Sequence, residues 1–202
     1  MNDKNIIITA RALSIISRPF YLPIVGMLCL FFLSYMRLLP TFYKVFILLM
    51  VYFFTILLPS VTIRLYTRWQ GWSRQSLIKK ERRAIPYVIF IISYFLCLAI
   101  MEYFKYPRFI TIIIIAALVI QVLCAMINVW WKISTHTAGM GGITGALISF
   151  AGIFDFNPTG WLCLVLILSG MVGTSRMIMR QHSLAQVTTG YLLGVITAIA
   201  II

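Results

Sequence analysis

Residues 109–128 read FITIIIIAALVIQVLCAMIN, a run of apolar and small polar side chains with no charge, preceded by Pro107 and Arg108. As a helix rising 1.5 Å per residue, the run is about 30 Å long, the thickness of a bilayer's hydrocarbon core. No water is present there to satisfy backbone N–H and C=O groups, so a helix is the only open-ended structure that survives. Working outward, comparable blocks occupy 20–39, 43–65, 86–104, 138–154, 159–175 and 184–202. The fifth and sixth of the seven are short and glycine-bearing. The expected fold is all-α: a polytopic transmembrane helical bundle of six or seven spans, forming a single membrane-embedded domain over residues 1–202. Pro40, Pro86, Pro107 and Pro158 fall at the breaks between blocks, where proline opens a helix or stops one.

Composition agrees with the blocks. Hydrophobic residues make up 62% of the chain and charged residues only 10%, against about 25% charged in a soluble domain. Residues 1–18 mix Asp3, Lys4, Arg11 and Arg18 with short apolar runs and offer no small-residue cleavage site. They read as an interfacial amphipathic helix rather than a cleaved signal peptide. Cys29, Cys97, Cys124 and Cys163 each sit inside an apolar block with no close Cys or His neighbour, so buried packing is expected of them.

The net charge is +13, from 17 Lys and Arg against four acids. Basic loops of this kind meet anionic lipid headgroups; the bases are scattered between spans, which argues against a nucleic-acid partner. Asp3, Glu81, Glu102 and Asp155 provide no carboxylate cluster of the sort that holds magnesium, so no metal and no cofactor is expected. If the spans alternate, segments 66–85, 129–137 and 176–183 share one face with the N-terminus, and this face carries most of the bases. The positive-inside rule would make that face cytoplasmic, but an anion site concentrates bases on its own side as well, so the charge bias leaves sidedness open. Trp69, Trp72, Trp130 and Trp131 gather on the same face, as interfacial aromatics do.

The chain has two histidines, His136 and His182, and parity places both on that basic face. His136 lies in Lys132-Ile133-Ser134-Thr135-His136-Thr137, where Ser134 or Thr135 can cap the following helix and leave its first amides aimed at an anion. His182 closes Ser175-Arg176-Met177-Ile178-Met179-Arg180-Gln181-His182, just before the last span. Arginine suits phosphate because its fork grips two oxygens at once. A third basic group, Lys79-Lys80-Glu81-Arg82-Arg83, precedes the span that opens at Pro86. The glycines at 139, 141, 142 and 145, and the pair Gly190 and Gly194, read as close helix packing, with the backbone near Gly139 also able to make room for phosphate. Asn128 reads as a helix cap or an interhelical hydrogen-bonding group, with a role in the site as the alternative.

These segments resemble the type 2 phosphatidic acid phosphatase superfamily. Ser175-Arg176, five residues and His182 reproduce the spacing of that family's third motif, with Gln186 standing where the motif has Asp. Ile133-Ser134-Thr135-His136 keeps the Ser and His of the second motif, Pro-Ser-Gly-His. Lys79 to Pro86 occupies the place of the first motif, Lys, six residues, Arg-Pro, with shifted spacing and Ile85 in the Arg position. The three stand in the family's order across residues 79–186.

The resemblance implies a lipid phosphatase, hydrolysing a phosphate monoester or pyrophosphate of a lipid without metal. His182 would be the nucleophile that becomes phosphohistidine, and His136 the acid that protonates the leaving oxygen. Arg176 would neutralise the equatorial oxygens together with Lys79, Lys80, Arg82 and Arg83. Ser134, Thr135 and Ser175 would complete the cradle, and Gln186 would orient the nucleophilic ring by accepting its N–H. The expected setting is an integral membrane position in a bacterial inner membrane, among membrane lipids. The alternative is a non-catalytic lipid-phosphate-binding or transport protein that keeps the phosphate site; Gln186 and the altered first motif favour it.

Overall fold

The computed structural model describes residues 3–71 and 84–202. Its elements are α1 (Asp3–Ile16), a 3₁₀ turn (Pro19–Tyr21), α2 (Leu22–Leu33), a second 3₁₀ turn (Tyr35–Leu38), α3 (Thr41–Tyr52), a π-helical turn (Phe53–Leu57) and α4 (Leu58–Trp69). After the undescribed stretch come α5 (Ala84–Tyr103), α6 (Arg108–Trp130), α7 (Thr135–Phe154), α8 (Thr159–Ile178) and α9 (Leu184–Ile201). There is no strand among the described residues. Seven helical stretches are long and apolar enough to cross a membrane: Asn5–Phe32, Thr41–Trp69, Ala84–Tyr103, Arg108–Trp130, Thr135–Phe154, Thr159–Ile178 and Leu184–Ile201. The chain is an all-helical integral membrane bundle.

Local chemistry explains most boundaries. Pro40, Pro107 and Pro158 stand at the N-caps of α3, α6 and α8, where the missing N–H costs nothing. The second span differs from the uninterrupted block 43–65. It runs on to Trp69, and the π-helical turn just before Pro59 widens the backbone where the proline ring would meet the carbonyl four residues earlier. The first span also differs, because a broken helix replaces the block 20–39: α1 precedes it, Arg18-Pro19 bends it, and Ser34 stops α2.

The largest core cluster lies away from the basic loops. Met27, Leu30 and Phe31 of α2 pack with Ile47 and Val51 of α3, Cys97 and Met101 of α5, and Ile110, Ile113 and Ile114 of α6. Many large apolar residues point outward instead, among them Phe42, Phe95, Ile167 and Ile196, as expected where the surrounding solvent is lipid. Cys97 and Cys124 are buried, but Cys163 is exposed on α8 and Cys29 is half-buried. Packing inside the bundle therefore accounts for only part of the cysteine set.

α7 and α9 form the closest helix pair. A Cβ on Gly141 would lie 2.0 Å from the Tyr191 carbonyl oxygen, on Gly145 2.5 Å from that of Val195, and on Gly194 1.9 Å from that of Ala138. The small-residue spacing lets the two backbones touch. Gly139 serves another contact: its missing side chain is replaced by Leu22 of α2, so this position makes no room for phosphate.

Candidate functional site

Each histidine is fixed by a helix start. Ser134 caps α7, its Oγ accepting the Thr137 N–H at 3.4 Å, and His136 sits in the first turn that follows. Ser183 caps α9 in a reciprocal box: its Oγ accepts the Gln186 N–H at 3.4 Å, and Gln186 Oε1 accepts the Ser183 N–H at 3.2 Å. The same Oε1 lies 3.3 Å from Nδ1 of His182. Gln186 thus serves as both cap and ring contact, and a ring that donates from Nδ1 carries its lone pair on Nε2.

The two starts are joined. The Ser134 N–H donates to the Gln186 carbonyl at 3.3 Å, and Gly190 admits the approach, since a Cβ there would lie 2.6 Å from the Ser134 oxygen. Lys132 adds a strap by donating from Nζ to the Gln181 carbonyl. These two hydrogen bonds tie the loop before α7 to the loop before α9, and with them the segments that carry the histidines.

Both histidines line one cavity of about 1140 Å³. Its wall also carries Arg11, Arg18, Lys132, Arg176 and Arg180, and no acid among the described residues. Arg176 reaches from the end of α8 to α1, where its Nη1 donates to Ser14 Oγ at 2.6 Å. The Ser14 carbonyl lies against the His136 ring, and Arg176, His182 and Arg18 are near enough for their charges to act on it. Two buried polar atoms in this wall lack a protein partner, Nδ1 of His136 and Nε of Arg176. Buried polar atoms are nearly always satisfied, and these two, on residues that line one cavity, stand out as open.

The turn carrying Arg180 is strained in the same direction. Arg180 adopts a left-handed backbone with φ of 52°, in a helix-ending turn closed by the Gln181 N–H on the Arg176 carbonyl at 3.1 Å. Glycine usually occupies such a position. A cavity-lining arginine there exchanges local comfort for a cation.

The structure brings together His136, His182, Arg176 and Thr135 at the cavity, with Gln186 behind His182. Ser134 and Ser175 do not line it: both are buried, Ser134 capping α7 and Ser175 donating to the Val172 carbonyl at 2.7 Å. Ser134 makes the helix cap expected of it, and both hydroxyls are taken up by helix backbone, which corrects the phosphate-cradle role expected of the two. Lys79, Lys80, Arg82 and Arg83 lie outside the described residues, as does Trp72.

Sequence reasoning missed the part of the wall that the N-terminal segment supplies beside His136. Arg11, Ser14 and Arg18 come from the N-terminal segment, which is not a separate surface helix but packs on α8 through the Ser14–Arg176 bond. Gln121 and Asn128, one helical heptad apart on α6, add neutral polar groups lower in the cavity. Their spacing along one face of an otherwise apolar helix was the available signal for this stripe. No family model, curated protein or solved structure matches the chain.

Proposed function

We propose that this chain is a lipid phosphate phosphatase working through a phosphohistidine, as its motifs' resemblance to the type 2 phosphatidic acid phosphatases implies, in a bacterial inner membrane. The observation that carries the reading is the pair of orphaned nitrogens, His136 Nδ1 and Arg176 Nε, in a cavity that both histidines line. An oxygen-rich anion satisfies both at once, and the surrounding bases supply the field that draws it in.

In this reading His182, held through Nδ1 by Gln186, attacks phosphorus from Nε2. His136 hands a proton to the departing lipid oxygen. Arg176, anchored by Ser14, keeps its remaining donors for the phosphoryl oxygens as charge moves onto them. Water then cleaves the P–N bond, releasing phosphate and restoring the ring. The neutral Gln186 orients the nucleophile without stabilising an imidazolium. In the serine-protease triad, replacing the orienting Asp by Asn lowers turnover about 10⁴-fold, so turnover slower than that of an Asp-bearing site is expected.

The test is phosphate release from lipid phosphates in detergent with divalent metal chelated, using wild type, His182→Ala and His136→Ala. Release by wild type that falls at least about a thousandfold in His182→Ala supports the reading, as does trapping of acid-labile label on wild type alone. Tight lipid-phosphate binding with no release by wild type would instead favour the receptor or transport reading, which Gln186 already makes the specific rival.

A further inference from the structure

A second, narrower cavity of about 60 Å³ lies deeper in the bundle, and nothing in the phosphatase reading uses it. Its lining shares Pro19, Gln121 and Thr135 with the large cavity, so the two adjoin. Along α6 the lining residues recur at three- and four-residue steps from Ile113 to Cys124, which is one face of the helix, and along α7 they do so from Thr135 to Ala146. The space is therefore a crevice running lengthwise between two helices, with Leu22, Pro23 and Gly26 of α2 as a third wall. From Gln121 at the mouth to Ile113 at the inner end is eight residues of helix, about 12 Å. Ile113 and Ala146 belong to the main core cluster, which closes that end.

The lining carries no charged side chain among the described residues, and the walls are close. A Cβ on Gly142 would lie 2.9 Å from Cδ1 of Ile120, and one on Gly26 would lie 3.2 Å from Cγ2 of Ile113. An apolar cavity that admits benzene measures about 150 Å³, so this smaller one suits a slender group and not a ring, a branch or a second chain. Apolar cavities stay dry, and an empty one leaves its walls without dispersion partners. Inside a bilayer no hydrophobic effect presses the helices together to close it. A hydrocarbon chain meets every one of these conditions.

We propose that the crevice is an internal chain site: it takes one unbranched hydrocarbon chain inside the bundle, while its anionic head lies in the large cavity beside His136 and Arg176. An extended chain advances about 1.2 Å per bond, so the crevice holds about ten carbons. The placement of the head rests on the anion reading of the large cavity; the fit of the crevice to a chain does not. Ala117, midway between Gln121 and Ile113, sets the bore. The protein thus sorts amphiphiles by the shape of one chain, leaving any other chain to the surrounding lipid.

The test is binding of n-alkyl phosphonates, whose carbon–phosphorus bond resists hydrolysis, to the full chain in detergent. Comparing a variant with wild type at each chain length cancels the ligand's own partition into detergent. Butylphosphonate should bind wild type and Ala117→Leu alike. Decylphosphonate should bind wild type at least about fivefold tighter than Ala117→Leu, whose larger side chain plugs the bore, and hexadecylphosphonate should raise that ratio no further. A methyl-branched decylphosphonate should bind Ala117→Gly tighter than wild type, a gain that a misfolded variant cannot produce. Ratios that stay near one from butyl to decyl, or no gain in Ala117→Gly, overturn the chain site and leave the phosphatase reading standing. If Ala117→Leu loses butylphosphonate as well, the leucine has distorted the head site, and the Ala117→Gly comparison alone decides. The expected ratios with no phosphate released from decyl phosphate remove the phosphatase and keep the chain site. No phosphonate binding by wild type at any length overturns both.

Discussion

Along the α7–α9 seam the helix backbones touch, with glycines where any side chain would collide. By contrast, α1 and α5 help line a space of about 1140 Å³. The first region holds His136 and His182 in register through the Ser134–Gln186 backbone bond. The second contributes side chains that reach inward: Ser14 to Arg176, and Arg18 over Phe20. Under the proposed phosphatase function the contrast separates two tasks. Chemistry on a phosphorus centre tolerates little misplacement, and a dense seam supplies that constancy. Accommodating a headgroup calls for room and adjustable charge, which long side chains on a separately packed helix supply.

The largest expected effect comes from breaking the seam. Gly194→Val places branched carbon where a Cβ would already lie 1.9 Å from the Ala138 oxygen and 2.7 Å from the Gly142 nitrogen. Backbone cannot rotate aside as a side chain does, so α9 must separate from α7. Overpacking usually costs about 1–3 kcal/mol, and a contact with backbone belongs at or above that top end. Thermal unfolding in detergent should show a marked loss of stability, and phosphate release should fall with it. Wild-type stability in Gly194→Val would mean the seam is not tight.

On the cavity side, Ser14→Ala removes the acceptor of a charged donor. Hydrogen bonds to charged groups are worth about 1.5–3 kcal/mol, so kcat/KM for lipid phosphate release should fall about 10- to 100-fold with stability little changed, and Ser14→Thr should restore most of it. An equal loss of stability and activity would make Ser14 a packing residue only.

Gln186→Glu is a smaller and opposite change. Glutamate keeps the reach to both Ser183 and His182 and suits the third position of a capping box, while adding the charge that an imidazolium needs. Turnover should rise several-fold. Gln186→Asp, one methylene shorter, should gain less because it gives up part of the box. A drop in both variants would show that the site is built around the amide.

Arg180→Gly tests the strained turn between the two regions. Relief of a left-handed arginine should stabilise the chain by about 1 kcal/mol, while the lost cation weakens lipid-phosphate binding severalfold. Thermal unfolding and binding should therefore move in opposite directions.

The apolar runs made the helical bundle legible because a bilayer admits almost nothing else. His136, His182 and Gln186 were legible because each sits beside its own helix start, so short spacings encode their geometry. Ser14 was not: no local pattern distinguishes it from any helical serine, and its role exists only because α1 folds back onto a residue 162 positions away. The cap expected of Ser134 was legible as well, but the phosphate role expected of Ser134 and Ser175 failed for the reverse reason. Their spacing matched a phosphate motif, but each hydroxyl found a nearer partner in its own backbone. Motif spacing reports proximity, and cap competition decides what the hydroxyl then bonds.

The smallest effect sharpens the comparison most cleanly. Gly170 lies in the middle of α8, is exposed, and has nothing within 4 Å of the place a Cβ would take. If glycine in these spans were only a shared habit of membrane helices, Gly170→Ala and Gly194→Ala would behave alike. If the seam at α7–α9 is what needs glycine, Gly170→Ala should be neutral or stabilising by up to about 1 kcal/mol, since alanine is the better helix former. Gly194→Ala, with its Cβ set against the Ala138 oxygen, should still destabilise. Parallel melting curves of the two variants in one detergent decide between these, and equal losses would mean that the need for glycine is not set by the backbone contact at the α7–α9 seam.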